Sequence, residues 1–171
     1  RRLWQSRERM LAVLDQLPQT LCHLDAFRGN LLVRRRSDGG EETVAVDWSF
    51  SGIAAVGEEL APLVAASVLF AGADPGALRE LDACVFELYL EGLREAGWQG
   101  DTRLVRLGLA LAAFLRYSMV LTWGAALDER FRRALERSER HEVEAYLDRS
   151  ARVAGWLCDQ AEEAQHRISV M

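Results

Sequence analysis

Leu21-Cys22-His23-Leu24-Asp25-Ala26-Phe27-Arg28-Gly29-Asn30-Leu31-Leu32-Val33, read with Val44-Ala45-Val46-Asp47-Trp48 further on, decides the architecture of this chain. The apolar runs Leu31-Leu32-Val33 and Val44-Ala45-Val46 flank a polar segment, Arg34 to Thr43, with Asp38-Gly39 near its middle. An Asp-Gly pair between two β-like runs is a strong hairpin signal, because the turn needs positive φ and Gly adopts it cheaply. A two-residue turn at Asp38-Gly39 sets Arg36 opposite Glu41 and Arg35 opposite Glu42, so opposite charges meet across the strands. Carried down the ladder, this register puts Val33 opposite Val44, Leu32 opposite Ala45, Leu31 opposite Val46 and Asn30 opposite Asp47. Two oxygen ligands are then expected side by side at the open end, with Cβ atoms about 5 Å apart.

Outward from the hairpin the periodicity changes. Upstream, Leu3, Met10, Leu11, Leu14 and Leu17 fall at helical spacing and the pattern stops at Pro18. Downstream of Gly57 the chain reads as helices near 58–70, 75–96, 102–127 and 138–163, broken by Gly- and Pro-containing turns at 71–75 and 97–100. The expected fold is mainly α with a short, buried β-hairpin. Residues 20–61 form a motif core and 62–171 a helical subdomain. The Arg- and Glu-rich stretch 128–142 reads as a solvated helix face.

Composition narrows the function classes. The 171 residues are 50% hydrophobic and 27% charged, enough to bury a core. A net charge of -5 argues against a nucleic-acid or anionic-membrane binder. No apolar run approaches the roughly 18 residues of a membrane span. Cys22, Cys84 and Cys158 are odd in number and widely spaced, so they read as buried free thiols in a reducing cytoplasm, with no disulfide framework or zinc knuckle. All 21 basic residues are arginine. The opening Arg1-Arg2, in place of methionine, points to a longer polypeptide.

The spacing His-x-Asp-x-x-x-x-Asn, followed by a hairpin and an apolar strand ending in Asp-Trp, resembles the catalytic loop and metal-binding segment of protein-kinase-like enzymes. More narrowly it resembles the aminoglycoside phosphotransferase family of small-molecule kinases. Gly57-Glu58-Glu59-Leu60-Ala61 is similar to the next motif of that family, an acidic residue before Leu-Ala at a helix start. The resemblance implies the C-terminal lobe of a kinase-like α+β fold, transferring the γ-phosphoryl of ATP or GTP to a hydroxyl of an aminoglycoside, sugar or amino alcohol. Asp25 would orient the acceptor hydroxyl and take its proton, and Asn30 and Asp47 would hold Mg²⁺, a hard cation that prefers oxygen ligands. His23 would shape the loop and Glu59 would anchor it from the helix below.

The departures from the family pattern are Leu24 where Gly is usual, Glu59 where Asp is commoner, and the absence of a Gly-rich phosphate loop and its lysine. Those last parts belong to an N-terminal, nucleotide-gripping lobe, so the 171 residues alone are expected to turn over little ATP. A non-catalytic binding module of the same fold, or a plain helical interaction domain, are the competing readings. Asp74, Asp82, Glu87 and Glu91 read as the wet face of a helix, with a pocket for a cationic substrate as the rival reading. His141 and His166 read as surface residues, and Trp98, Trp123 and Trp156 as core. Ser49 and Ser51 have no base at motif spacing, so no serine hydrolase is expected.

Overall fold

The computed structural model describes residues 5–118 and 140–170. Leu3, Trp123 and the segments 119–127 and 138–139 of the expected helices lie outside the described residues, as does most of the 128–142 stretch and the side chain of His141. Helix α1 (Arg7–Gln16) ends where Pro18 forbids its continuation. Strand β1 (Gln19–Cys22) follows, then the loop carrying His23 and Asp25, and a helical turn at Arg28–Asn30. The hairpin is β2 (Leu31–Arg35) and β3 (Glu41–Ala45). After a turn at Trp48–Phe50, β4 (Gly52–Ala55) pairs antiparallel with β1, Gln19 opposite Ala55 and Cys22 opposite Gly52. Beyond Leu60 the chain is helical: a π-helical turn at Pro62–Ala66 running into α2 (Ser67–Phe70), then α3 (Leu78–Glu95), α4 (Thr102–Tyr117) and α5 (Arg140–Ser169).

The hairpin register differs from the expected one by a single residue. Leu31 lies opposite Ala45, Arg34 opposite Glu42 and Arg35 opposite Glu41. The cause is the turn. Gly39 N–H donates to the Arg36 carbonyl at 3.1 Å and Arg36 N–H to the Gly40 carbonyl at 2.8 Å, with Gly39 at φ +84°. This is the three-residue loop with a left-handed Gly, not the two-residue form. Both registers place Arg opposite Glu, so charge pairing does not discriminate between them. The strand consequences are large, because a one-residue slip moves every side chain to the other face. Asn30 comes to lie opposite Val46, whose N–H donates to the Asn30 carbonyl at 3.0 Å. Nor is the hairpin buried: Leu32 and Val33 are 51% and 68% exposed.

Helix α4 is the axis of the helical part. Its residues Leu107 to Phe114 are all buried, as expected of a helix covered on every side. Leu109 and Ala113 meet Val64, Val68 and Leu157, while Leu107, Ala110, Leu111 and Phe114 meet Met10, Ala55 and Ala161. The end of β4 touches α4 backbone to backbone. Gly57, at φ +89°, has no room for a Cβ because the Val105 carbonyl fills that space, and Gly108 is likewise blocked by the Val56 carbonyl. That close approach seats the β1–β4 pair, and with it the Asp25 loop, on the helical core.

Two residue expectations are corrected here. Asp82 is buried at 6% exposure, not on a wet face. Both its carboxylate oxygens bond Arg106, at 2.7 and 3.0 Å, and Oδ2 also accepts from Trp156 Nε1 at 2.9 Å and Gln160 Nε2 at 3.3 Å. Of the thiols, only Cys22 is buried; Cys84 is exposed and Cys158 half-buried. Among the described residues no helix is long and apolar enough to cross a membrane.

Candidate active site

The β1–β4 pair delivers both halves of the site from its two ends: β1 runs into His23-Leu24-Asp25, and β4 runs through the Gly57 turn to Glu59. His23 is buried and every polar atom of its ring is engaged. The Asp25 N–H donates to Nδ1 at 3.3 Å, so Nδ1 accepts and Nε2 donates to the Val46 carbonyl at 2.9 Å. The His23 backbone N–H donates to Glu59 Oε2 at 3.0 Å. Histidine thus ties the loop to the end of β3, with no ring nitrogen left for proton transfer. Trp48 packs its ring on the imidazole at 4.5 Å between centroids.

Leu24 takes the left-handed conformation, φ +63°. A leucine there costs roughly 1–2 kcal/mol over the right-handed form, which gives the usual glycine at this position its physical reason. The loop then winds tightly: Phe27 N–H donates to the Asp25 carbonyl at 2.9 Å and Asn30 N–H to the Phe27 carbonyl at 2.8 Å. Ser67, buried on α2, steadies the loop's far side by accepting from Arg28 N–H at 3.0 Å.

Asp25 and Asn30 meet. The Asn30 Nδ2 donates to the Asp25 carbonyl at 3.0 Å and to its carboxylate Oδ2 at 3.1 Å. Those two acceptors fix the amide's orientation and turn its own oxygen, Oδ1, away from Asp25. On the other side, Arg116 Nη2 of α4 lies 3.9 Å from Asp25 Oδ1. Asp47 follows Val46 directly and is also left-handed, φ +59°. Its exposed carboxylate accepts from Ser49 Oγ at 2.7 Å. The expected face-to-face pairing of Asn30 with Asp47 does not form; Asn30 engages Asp25, and Asp47 engages Ser49. Leu24 and Asp47 are the two non-glycine residues with positive φ among the described residues, and both border this loop. Strain of that kind concentrates at functional sites.

Burial sets the electrostatics beneath the loop. It pushes the Cys22 thiol up to about 12, with the Glu59 charge adding to the effect, and pushes the Tyr117 phenol up to about 12. Burial also raises Glu58, partly opposed by its bond from the Ala55 N–H and by the charge of Arg116.

The donor chemistry of Asn30 and Asp47, without a paired geometry between them, is of the kind Mg²⁺ accepts alongside a substrate. Asn30 Oδ1 and the Asp47 carboxylate are hard oxygen donors, and Mg²⁺ is commonly bound through one or two protein oxygens with phosphates and water. Among the described residues no group of three or more His, Cys, Asp or Glu side chains is arranged to hold a metal by itself. A cleft of about 500 Å³ lies elsewhere, at the other end of α4, lined by Asp82, Phe86, Arg106, Trp156, Gln160 and Glu163. Ten residues of helix separate Arg106 from Arg116, about 15 Å along the axis. Its Asp82 and Glu163 carboxylates both already pair with Arg106.

Arg116, Tyr117 and Ser67 are site neighbours that sequence reasoning missed. None has a local signature, since each reaches the loop only through the helix packing.

The model of the phosphotransferase enzyme family matches residues 1–96, more than half of the chain and all of His23, Asp25, Asn30, Asp47 and Glu59. No curated protein and no solved structure matches. With the loop geometry already seen, that match is enough to place the chain: it belongs to the phosphotransferase enzyme family.

Proposed function

We propose that the chain is the C-terminal, substrate-side lobe of an ATP- or GTP-dependent phosphotransferase acting on a hydroxyl of a small molecule of the aminoglycoside, sugar or amino-alcohol type. The observation that carries this reading is the Asp25 carboxylate, one oxygen bonded by Asn30, on a loop fastened through His23 to Val46 and Glu59. Phosphoryl transfer demands positioning and charge neutralisation more than covalent chemistry from the protein. Asp25 accepts the acceptor's hydroxyl proton as the new O–P bond forms and the bond to the nucleoside diphosphate breaks. Asn30 Oδ1 and Asp47 are the groups that would hold Mg²⁺, which when bound neutralises phosphate charge. Glu59 and His23 act on the loop, not on the substrate.

With arginine as its sole basic side chain besides histidine, the chain has no lysine to grip nucleotide phosphates, and that grip falls to an N-terminal lobe beyond these residues. The cytoplasm, where nucleotide triphosphates and such acceptors occur together, is the compartment that suits this chemistry. The test is Mg²⁺-dependent transfer from ATP and GTP by the full-length protein across a panel of aminoglycosides, sugars and amino alcohols. Transfer to one class that is lost in Asp47→Ala supports the reading. Nucleotide binding with no transfer to any acceptor favours a non-catalytic binding module of the same fold.

A further inference from the structure

We infer that Arg116, at the C-terminal end of α4, is a positioning residue that holds the Asp25 carboxylate in the plane needed for transfer; this rests on the reading of Asp25 given above. The carboxylate is approached from two separate elements. Oδ2 accepts from Asn30 Nδ2 at 3.1 Å, and Oδ1 faces Arg116 Nη2 at 3.9 Å. One hydrogen bond leaves a carboxylate free to rock about its terminal torsion, which is broad and shallow. A cation on the other oxygen removes that freedom. At 3.9 Å the guanidinium is outside hydrogen-bond range, so the Oδ1 lone pairs stay open to an acceptor hydroxyl while the charge still fixes the group's direction.

The location is unusual for an arginine. It follows the buried run Leu107 to Phe114 and is itself about two-thirds buried. The same charge also bears on Glu58 and Tyr117. Arg28, the loop's own arginine, points its Nη1 to the Ala71 carbonyl instead. Arg116 is therefore the cation turned toward the reacting carboxylate among the described residues.

The experiment uses the full-length protein and the acceptor on which the wild type is fastest in the panel above. Arg116→Gln is expected to lower kcat about tenfold, the effect of one modest coupling, with the KM for ATP within about twofold of wild type. Arg116→Lys restores most of the loss. In an Asp25→Asn background, Arg116→Gln produces no further loss, because its effect passes through Asp25. An equal fall in both backgrounds, or no fall in either, overturns the inference while leaving the phosphotransferase reading in place. A wild type inactive on every acceptor overturns that reading and this inference with it.

Discussion

The backbone N–H of His23 donates to the carboxylate of Glu59 at 3.0 Å, across 36 residues of sequence. That bond fastens the loop to the start of the helical core: His23 leaves the antiparallel β1–β4 pair at the Cys22–Gly52 end, and the chain beyond Ala55 turns at Gly57 to bring Glu59 back to it. The donor residue is buried, so removing the acceptor leaves an N–H without water or a partner. Glu59→Ala is expected to cost about 1–3 kcal/mol and to lower phosphoryl transfer. Glu59→Gln, which keeps an acceptor oxygen, loses less of both. Urea denaturation of the two variants, alongside turnover, checks the order.

Leu24 makes the opposite kind of prediction. At φ +63° the backbone is strained for any residue with a Cβ, and more so for a β-branched one. Leu24→Val should destabilise the protein relative to the leucine, because the branched Cβ adds a further clash to the left-handed cost that leucine already bears. Leu24→Gly relieves the strain, offset by the entropy glycine loses on folding, and should lie at or above wild-type stability. A thermal melt in which valine matches leucine contradicts the account of this loop.

Buried Asp82 pairs with half-buried Arg106, and Trp156 and Gln160 donate into the same carboxylate. Asp82→Asn leaves Arg106 with Glu163 as its remaining partner and takes the charged acceptor away from Trp156 and Gln160, so it is expected to cost about 1–3 kcal/mol. Asp82→Asn combined with Arg106→Met removes the half-compensated charge, while Glu163 keeps Arg167, and should be less destabilised than Asp82→Asn alone. Chemical denaturation of the single and double variants decides it.

Alkaline pH should weaken the fold. Burial pushes both Cys22 and Tyr117 up to about 12, from usual values of 9.0 and 10.0. Above the usual values the unfolded chain has released these protons while the folded chain keeps them. The unfolded state then binds fewer protons, and stability falls as pH rises until the folded groups also titrate. The stabilising contribution is whole below about pH 9 and is lost toward about pH 12, each group steepening the fall by at most about 1.4 kcal/mol per pH unit. Urea midpoints at about pH 8 and about pH 10.5 should differ accordingly, and Cys22→Ala should flatten the difference.

What the sequence reveals and what it hides divide along physical lines. The hairpin and the helices after Gly57 are legible because turn chemistry and periodicity are local, and motif spacing likewise anticipates that His23, Asp25 and Asn30 share one loop with Glu59 beneath it. The register is not: Asp38-Gly39 suits a two- or a three-residue loop, and Arg34, Arg35 and Arg36 offer a partner to Glu41 and Glu42 either way. The β1–β4 pair is invisible because Gln19–Cys22 and Gly52–Ala55 are four residues each and poor in β-branched alternation. Asp82 reads as solvated because a buried carboxylate and an exposed one look alike until Arg106 is brought beside it. Arg116 reaches Asp25 for the same tertiary reason.

The central claim is that Asp25 is the base of a phosphoryl transfer, and the most direct test is the turnover of Asp25→Asn in the full-length protein with Mg²⁺ and ATP. The substitution keeps the shape of the side chain, so a circular dichroism melt should match wild type closely. The account predicts a fall in kcat of about 10² to 10⁴ with nucleotide binding retained. Turnover near the wild-type rate in a folded Asp25→Asn protein would contradict it.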